Sequence, residues 1–226
     1  MKHSVGIPLF FACFLVAQNA ASGQSISPQH NPSSSVPTNI HQLFLDDQAE
    51  RAVGASAPKY GPDVNSRDAM RRAEARLLIA AGQLKTAQDF HDAAFIFQHG
   101  HDPDDYLLAH ILAIDAIVKG DASSKWIAAA TLDRYLQSVG QKQVFGTQYP
   151  NKGYLYVLQH RNDPNAAKNP EALQNGSTQE PYDRDLVPDA LRGEFCVPSR
   201  EAQASNLSEI NAGKPMPGGL PPGCTN

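Results

Sequence analysis

The sequence predicts an all-α fold, and three observations carry that prediction. Four consecutive stretches place apolar residues at helical spacing, and each stops at a glycine: Gly82, Gly100, Gly120 and Gly140. Proline and glycine otherwise concentrate towards the ends of the chain. The glycines stand 18, 20 and 20 residues apart, so two successive helices form a unit of about 38–40 residues, the size of a helical-hairpin repeat. The expected architecture is antiparallel helical hairpins, a TPR-like α-solenoid or a small bundle, followed by an irregular C-terminal extension.

In chain order, Lys2 and the apolar run from Val5 to Ala17 precede small residues near Ala21 to Gly23. This is the plan of a secretory signal peptide over residues 1–23 and predicts an exported protein, periplasmic or extracellular. Residues 24–39 are rich in Ser, Pro and Asn and read as a disordered linker. The helical core is expected over 40–160. Ile40 to Val53 is a short amphipathic segment with Leu43, Phe44 and Ala49 on one face, broken by the prolines that follow. A second helix, capped at Asn65 or Ser66 and running through Ala81, has Ala69, Ala73, Leu77 and Ala80 as its apolar side, flanked by Met70 and Leu78.

Thr86 caps the third helix, where Phe90, Ala93, Ala94 and Phe97 share a face. Asp102 followed by Pro103 opens the fourth. On a helical wheel Tyr106, Leu107, Ile111, Ala113, Ile114, Ile117 and Val118 fill one arc, and Leu108, Ala109, Leu112 and Ala116 cover most of the other side. A helix apolar nearly all round is expected to be sandwiched at the centre of the core. Asp121 or Ser123 starts the fifth. Tyr154 to Leu158 fits a strand or a helix equally well, and 161–226 reads as a Pro/Gly-rich extension with short helical pieces at Val187–Leu191 and Ser199–Ala212. Tyr154, Tyr156, Leu186, Val187, Leu191 and Phe195 are its expected means of packing back on the core.

A net charge of −4 gives no basic footprint, so no nucleic-acid partner is expected, and no membrane partner after signal cleavage. Removal of Cys13 with the signal leaves Cys196 and Cys224, which predict one disulfide in an exported chain. No phosphate loop, GxSxG, HExxH or Cys–His pair is present, and no cofactor is expected.

The residues able to do chemistry fall into two stations. Gln98 to Asp105 holds His99 and His101 among carboxylates, which suit a helix N-terminus and offer only weak metal-ligand candidates. Asp133 to Gln148 holds Asp133, Arg134, Gln143, Thr147 and Gln148, with Asp133 expected in a half-buried ion pair with an arginine such as Arg51. His110 lies within the apolar arc, either hydrogen-bonded to its surroundings or at the base of a pocket. Two intervening helices take the chain out and back, so both stations are expected at one end of the core.

Asp47-Gln48 with Arg51, Phe97-Gln98-His99-Gly100, Asp133-Arg134 and Gln143-x-Phe145-Gly146-Thr147-Gln148 together resemble the signature of an uncharacterised family of bacterial, often exported, helical proteins. The resemblance covers roughly Leu43 to Tyr149 and implies an architecture and a set of polar positions, without a reaction. It marks Asp47, Gln48, Arg51, His99, Asp133, Arg134, Gln143, Gly146, Thr147 and Gln148. Two functions follow as expectations. One is an interaction module for a peptide, glycan or protein partner, with Gln48, Arg51, His110, Arg134, Gln143 and Thr147 as binding residues. The other is a hydrolase-like enzyme using Asp47, His99, Asp133 and Gln148.

Overall fold

The computed structural model describes residues 39–52 and 62–214. The expected signal peptide, nearly all of the linker, the proline break before the second helix, and Cys224 lie outside the described residues. Those described form eight α-helices and no named strand: α1 (Ile40–Arg51), α2 (Pro62–Ala80), α3 (Ala87–Phe97), α4 (Pro103–Val118), α5 (Ser124–Ser138), α6 (Lys152–Gln159), α7 (Asp189–Glu194) and α8 (Arg200–Asn211). The fold is all-α. No helix among the described residues is long and apolar enough to cross a membrane.

Local chemistry sets the helix boundaries. Asn39 caps α1 through the Gln42 amide, and Thr86 caps α3 in a reciprocal box with Asp89. α2 begins at Pro62, ahead of the expected cap at Asn65 or Ser66, because proline suits the first helical turn. Asn151 caps α6, which resolves the stretch around Tyr154 as helix.

α4 packs against α3 on one side and α5 on the other, and α1 lies on α3. Alanines make this close approach possible: Ala93, Ala94, Ala109, Ala113 and Ala128 are each wholly buried among Ile96, Phe97, Leu112 and Ile127. A second, smaller cluster of Ala129, Phe145, Val187 and Val197 joins α5 to the C-terminal segment.

Gly100 ends α3 for a reason different from the other three helix-stop glycines, which have positive φ. A Cβ at Gly100 would sit 2.2 Å from the Cβ of Asp105, so this glycine permits the tight turn from α3 into α4.

Several expected faces are corrected. In α2 the predicted apolar side is outside: Ala69, Ala73 and Ala80 are exposed, Met70 is 64% and Leu77 71% accessible, and Leu78 is half-buried. The buried side carries Val64, Asp68, Arg71, Arg72 and Ala75. The physical reason lies across the interface, where buried carboxylates on α1 and α4 require partners. Satisfying them outweighs covering a leucine.

α4 is flanked rather than enclosed, with Ile111, Ile114 and Val118 exposed along one stripe. Ala49 of α1 is exposed too. Beyond α6 the extension is more regular than expected, with two 3₁₀ turns (Ala166–Lys168 and Pro170–Leu173) before α7 and α8. Of the residues expected to anchor it, Val187 is buried and Tyr156 and Phe195 are half-buried, whereas Tyr154, Leu186 and Leu191 are exposed.

The two sides of α2 give a direct test. Leu77→Ser should change unfolding free energy by no more than about 0.5 kcal/mol. Asp68→Ala should cost on the order of 3 kcal/mol by stranding buried guanidinium groups. Urea unfolding of both variants checks this, and equal costs would contradict the inward polar face.

Candidate functional site

Helical spacing on α1 places Asp47 and Arg51 one turn apart, and the carboxylate becomes the centre of a network. Asp47 is 1% exposed; its Oδ1 accepts from Arg51 Nη1 at 2.6 Å and from His99 Nδ1 at 3.1 Å. Its Oδ2 accepts from Gln48 Nε2 at 2.8 Å. His99 reaches it from just beyond the end of α3.

The inward face of α2 extends the network. Arg51 Nη2 donates to Asp68 at 2.7 Å, and Arg71 Nη1 donates to the same carboxylate at 2.9 Å. Arg71 Nη2 lies 2.7 Å from Glu50, which Arg67 also pairs. Arg72 donates to the His99 carbonyl at 2.8 Å and pairs with Asp105, as does Arg76. A cleft of about 450 Å³ between α1 and α2 opens on the Glu50–Arg71 edge of this network.

The second station meets the first through Arg134. From α5, its Nη1 donates to the Gln98 carbonyl at 2.9 Å. Nearby, the Tyr106 hydroxyl donates to the Gly100 carbonyl at 2.8 Å, and Tyr154 bears on it electrostatically. The rest of the second station turns inward. Asp133 is fully buried and accepts from the amides of Val144, Phe145 and Thr147 at 2.8, 3.0 and 2.9 Å, and from the Thr147 hydroxyl at 2.8 Å.

The ion pair expected between Asp133 and Arg51 is therefore replaced by a carboxylate wrapped in its own loop. Gln143 Nε2 donates to the carbonyls of Gln148 and Gln179, and Gln148 Nε2 to that of Ala130. Gly146, at φ +68°, has Tyr182 and Gln203 so close that a Cβ would lie 2.6 Å from each.

Thus Asp47, Gln48, Arg51, His99 and Arg134 come together, while Asp133, Gln143, Thr147 and Gln148 hold one another and the backbone. His110 stands apart, its Nδ1 2.9 Å from the Ala128 carbonyl. His101 is exposed, and among the described residues no three His, Cys, Asp or Glu side chains could hold a metal ion together.

Sequence reasoning missed Asp68, Arg71 and Arg72, whose charges pointed it to the wrong side of α2. It also missed Arg192 and Gln203, which bond the Phe145 carbonyl from the extension. His91, Ser124 and Asp121 form another unexpected trio, but Ser124 is wholly buried and donates to Asp121 at 2.6 Å. His91 presents the same Nδ1 to both, so no proton relay to the serine exists.

Burial holds the His99 imidazole below its ordinary pKa of 6.5; Asp47 opposes this, and the charges of Arg51 and Arg134 reinforce it. The ring is therefore neutral at pH 7. A carboxylate only accepts, so Nδ1 carries the proton and Nε2 the lone pair. Burial pushes the Asp133 carboxyl up, against the pull of its three amide donors and the Thr147 hydroxyl. The Asp47–His99 pair can orient a polar ligand, or accept a proton from one.

Compared with models of protein families, with curated proteins and with solved structures, the chain matches none.

Two outcomes follow from this geometry. Asp133→Asn sets an NH₂ group against amide donors and should lower stability by on the order of 3 kcal/mol, read by denaturant unfolding. For His99, the unfolded chain binds the proton at about pH 6.5 and the folded chain only below it. Stability from this group is thus full above pH 6.5 and lost as pH falls through the folded value. The stability difference between wild type and His99→Gln should shrink from pH 7.5 to pH 5, and a difference independent of pH would refute a neutral buried His99.

Proposed function

We propose that the protein is an exported helical interaction module, built from hairpins of TPR type, that holds a peptide, glycan or protein partner at the end of the core around His99. The observation that carries this reading is the His99 ring itself. One nitrogen is fixed by Asp47, and the other has no hydrogen-bond partner among the described residues, in a side chain 16% exposed. The free nitrogen is not shut off from solvent, so a ring fixed at one side and open at the other can take a ligand without giving up a contact of the fold. Export from a signal at residues 1–23 and a Cys196–Cys224 disulfide belong to the same proposal. So does membership of the exported family that the DQxxR, FQHG, DR and QxFGTQ motifs resemble.

A second reading has a specific observation in its favour. A neutral imidazole oriented by a buried carboxylate is the arrangement of a general base, so a hydrolase-like activity through an activated water is chemically available to Asp47 and His99. The amides once expected to assist are committed to the 143–148 loop. No serine, threonine or cysteine nucleophile hydrogen-bonds His99 among the described residues, which favours the binding reading.

The test follows the His99 imidazole by NMR in histidine-labelled full-length protein mixed with peptide and glycan libraries. A ligand that shifts the His99 signals, and whose binding drops at least tenfold in His99→Gln, is expected. Ligands that leave His99 unmoved and bind the variant equally would overturn the reading. Turnover that disappears in His99→Gln while binding persists would place the enzyme first.

A further inference from the structure

We infer that the group received beside His99 is an oxyanion, a carboxylate or a phosphate, and that Arg134 is the residue that holds it. The inference rests on the His99 end being the binding end and names the chemistry it accepts.

Arg134 differs from the other arginines of the network. Arg51 pairs with Asp47 and Asp68, Arg67 and Arg71 with Glu50, and Arg72 and Arg76 with Asp105. Arg134 has no carboxylate within ion-pair distance among the described residues. Its single hydrogen bond is Nη1 to the Gln98 carbonyl, and its Nε is buried without a partner. Arg51 also has an unpartnered Nε, but its charge is met twice over. A guanidinium presents five donors in a planar fork shaped for two oxygens of one anion. A partly buried one with no anion is a charge still to be compensated.

Neighbouring carboxylates do not supply that compensation. Asp133, next to it in sequence, has both oxygens saturated by the 143–148 loop. Asp47 is shared by Arg51, Gln48 and His99, and Asp105 is taken by two arginines. Asp46 and Glu74 line the α1–α2 cleft with Arg67 and Arg71.

The groups around Arg134 suit an anion. Its charge bears on both the His99 ring and the Tyr106 hydroxyl. Tyr154, 52% exposed on α6, bears on the Tyr106 hydroxyl and offers its own at the solvent edge. The charged groups bearing on the His99 ring are Asp47 and Arg51 from α1 and Arg134 from α5, and Arg72 from α2 holds its carbonyl. An anion on Arg134 would offset one of the two positive charges that add to burial in disfavouring the imidazolium. For a carboxylate, whose charge does not change over this range, binding is therefore coupled to proton uptake by His99 and tightens as pH falls from 7.5 towards 6.

The experiment titrates full-length protein in zwitterionic buffer with inorganic phosphate, with N-acetylalanine as a peptide C-terminal carboxylate, and with N-acetylalanine methyl ester as the neutral control. Binding is read by calorimetry and by the His99 imidazole signals. At least one anion is expected to bind saturably, shift His99 and raise its pKa, while the ester does neither.

Arg134→Gln should weaken that binding at least tenfold and Arg134→Lys by less, since lysine keeps the charge without the fork. Tyr154→Phe, a change at an exposed position, should weaken it several-fold and remains informative if the arginine variants unfold. Preference for phosphate or for N-acetylalanine identifies which oxyanion the site takes. If neither anion shifts His99, or if Arg134→Gln or Tyr154→Phe binds as wild type does, the inference fails. Library ligands that still act on His99 would then leave the binding reading standing; their absence too would end both.

Discussion

A buried carboxylate must be met by donors, and Asp47 imposes that requirement on the middle of this fold. Its Oδ1 brings α1, α2 and the end of α3 to one point, through Arg51 and its partner Asp68 on one side and His99 on the other. Removing one member of such a network leaves the others charged and dry, which is why its parts are interdependent. The orientation of α2 follows directly. Its inward face is a row of charges because the interface it closes already holds Asp47, Glu50 and Asp105.

Asp133 poses the same problem and the chain answers it differently. Here the donors are backbone amides, so satisfying the carboxylate folds a loop rather than docking a helix. Two adjacent residues on α5 are thereby divided in purpose. Asp133 faces in and shapes residues 143–148, while Arg134 faces the His99 end with most of its donors unused. The polar residues that stand out in the sequence thus shape a loop in one case and leave donors open in the other.

Much of the helical plan was legible because its signals are local. Thr86 with Asp89, Asp102 with Pro103, and the glycines after each helix act within a turn of where they stand. Both stations could also be placed at one end by counting helices, and the Arg134 bond to Gln98 joins them there. What was not legible depends on partners distant in sequence. On a helical wheel Leu77 outranks Arg71, and only Glu50 and Asp47 across the interface reverse that order. Gln143, Thr147 and Gln148 look like ligand-binding side chains until the carbonyls of Gln179 and Ala130 and the carboxylate of Asp133 are seen to engage them. Arg192 gave no signal, since a lone arginine in a Pro/Gly-rich segment resembles any surface residue, yet it is entirely buried.

That arginine also gives the chain an order of events. Arg192 and Gln203 grip the Phe145 carbonyl from 47 and 58 residues away, whereas the cap and turn contacts of the helices close within a few positions. Short-range contacts form first, because long loops cost more entropy to close. A chain emerging from its N-terminus would assemble the α1–α5 hairpins while residues 143–148 still lacked half their hydrogen bonds. Helix α8 then acts as a latch, and the loop around Asp133 reaches its final shape only once Gln203 has joined it.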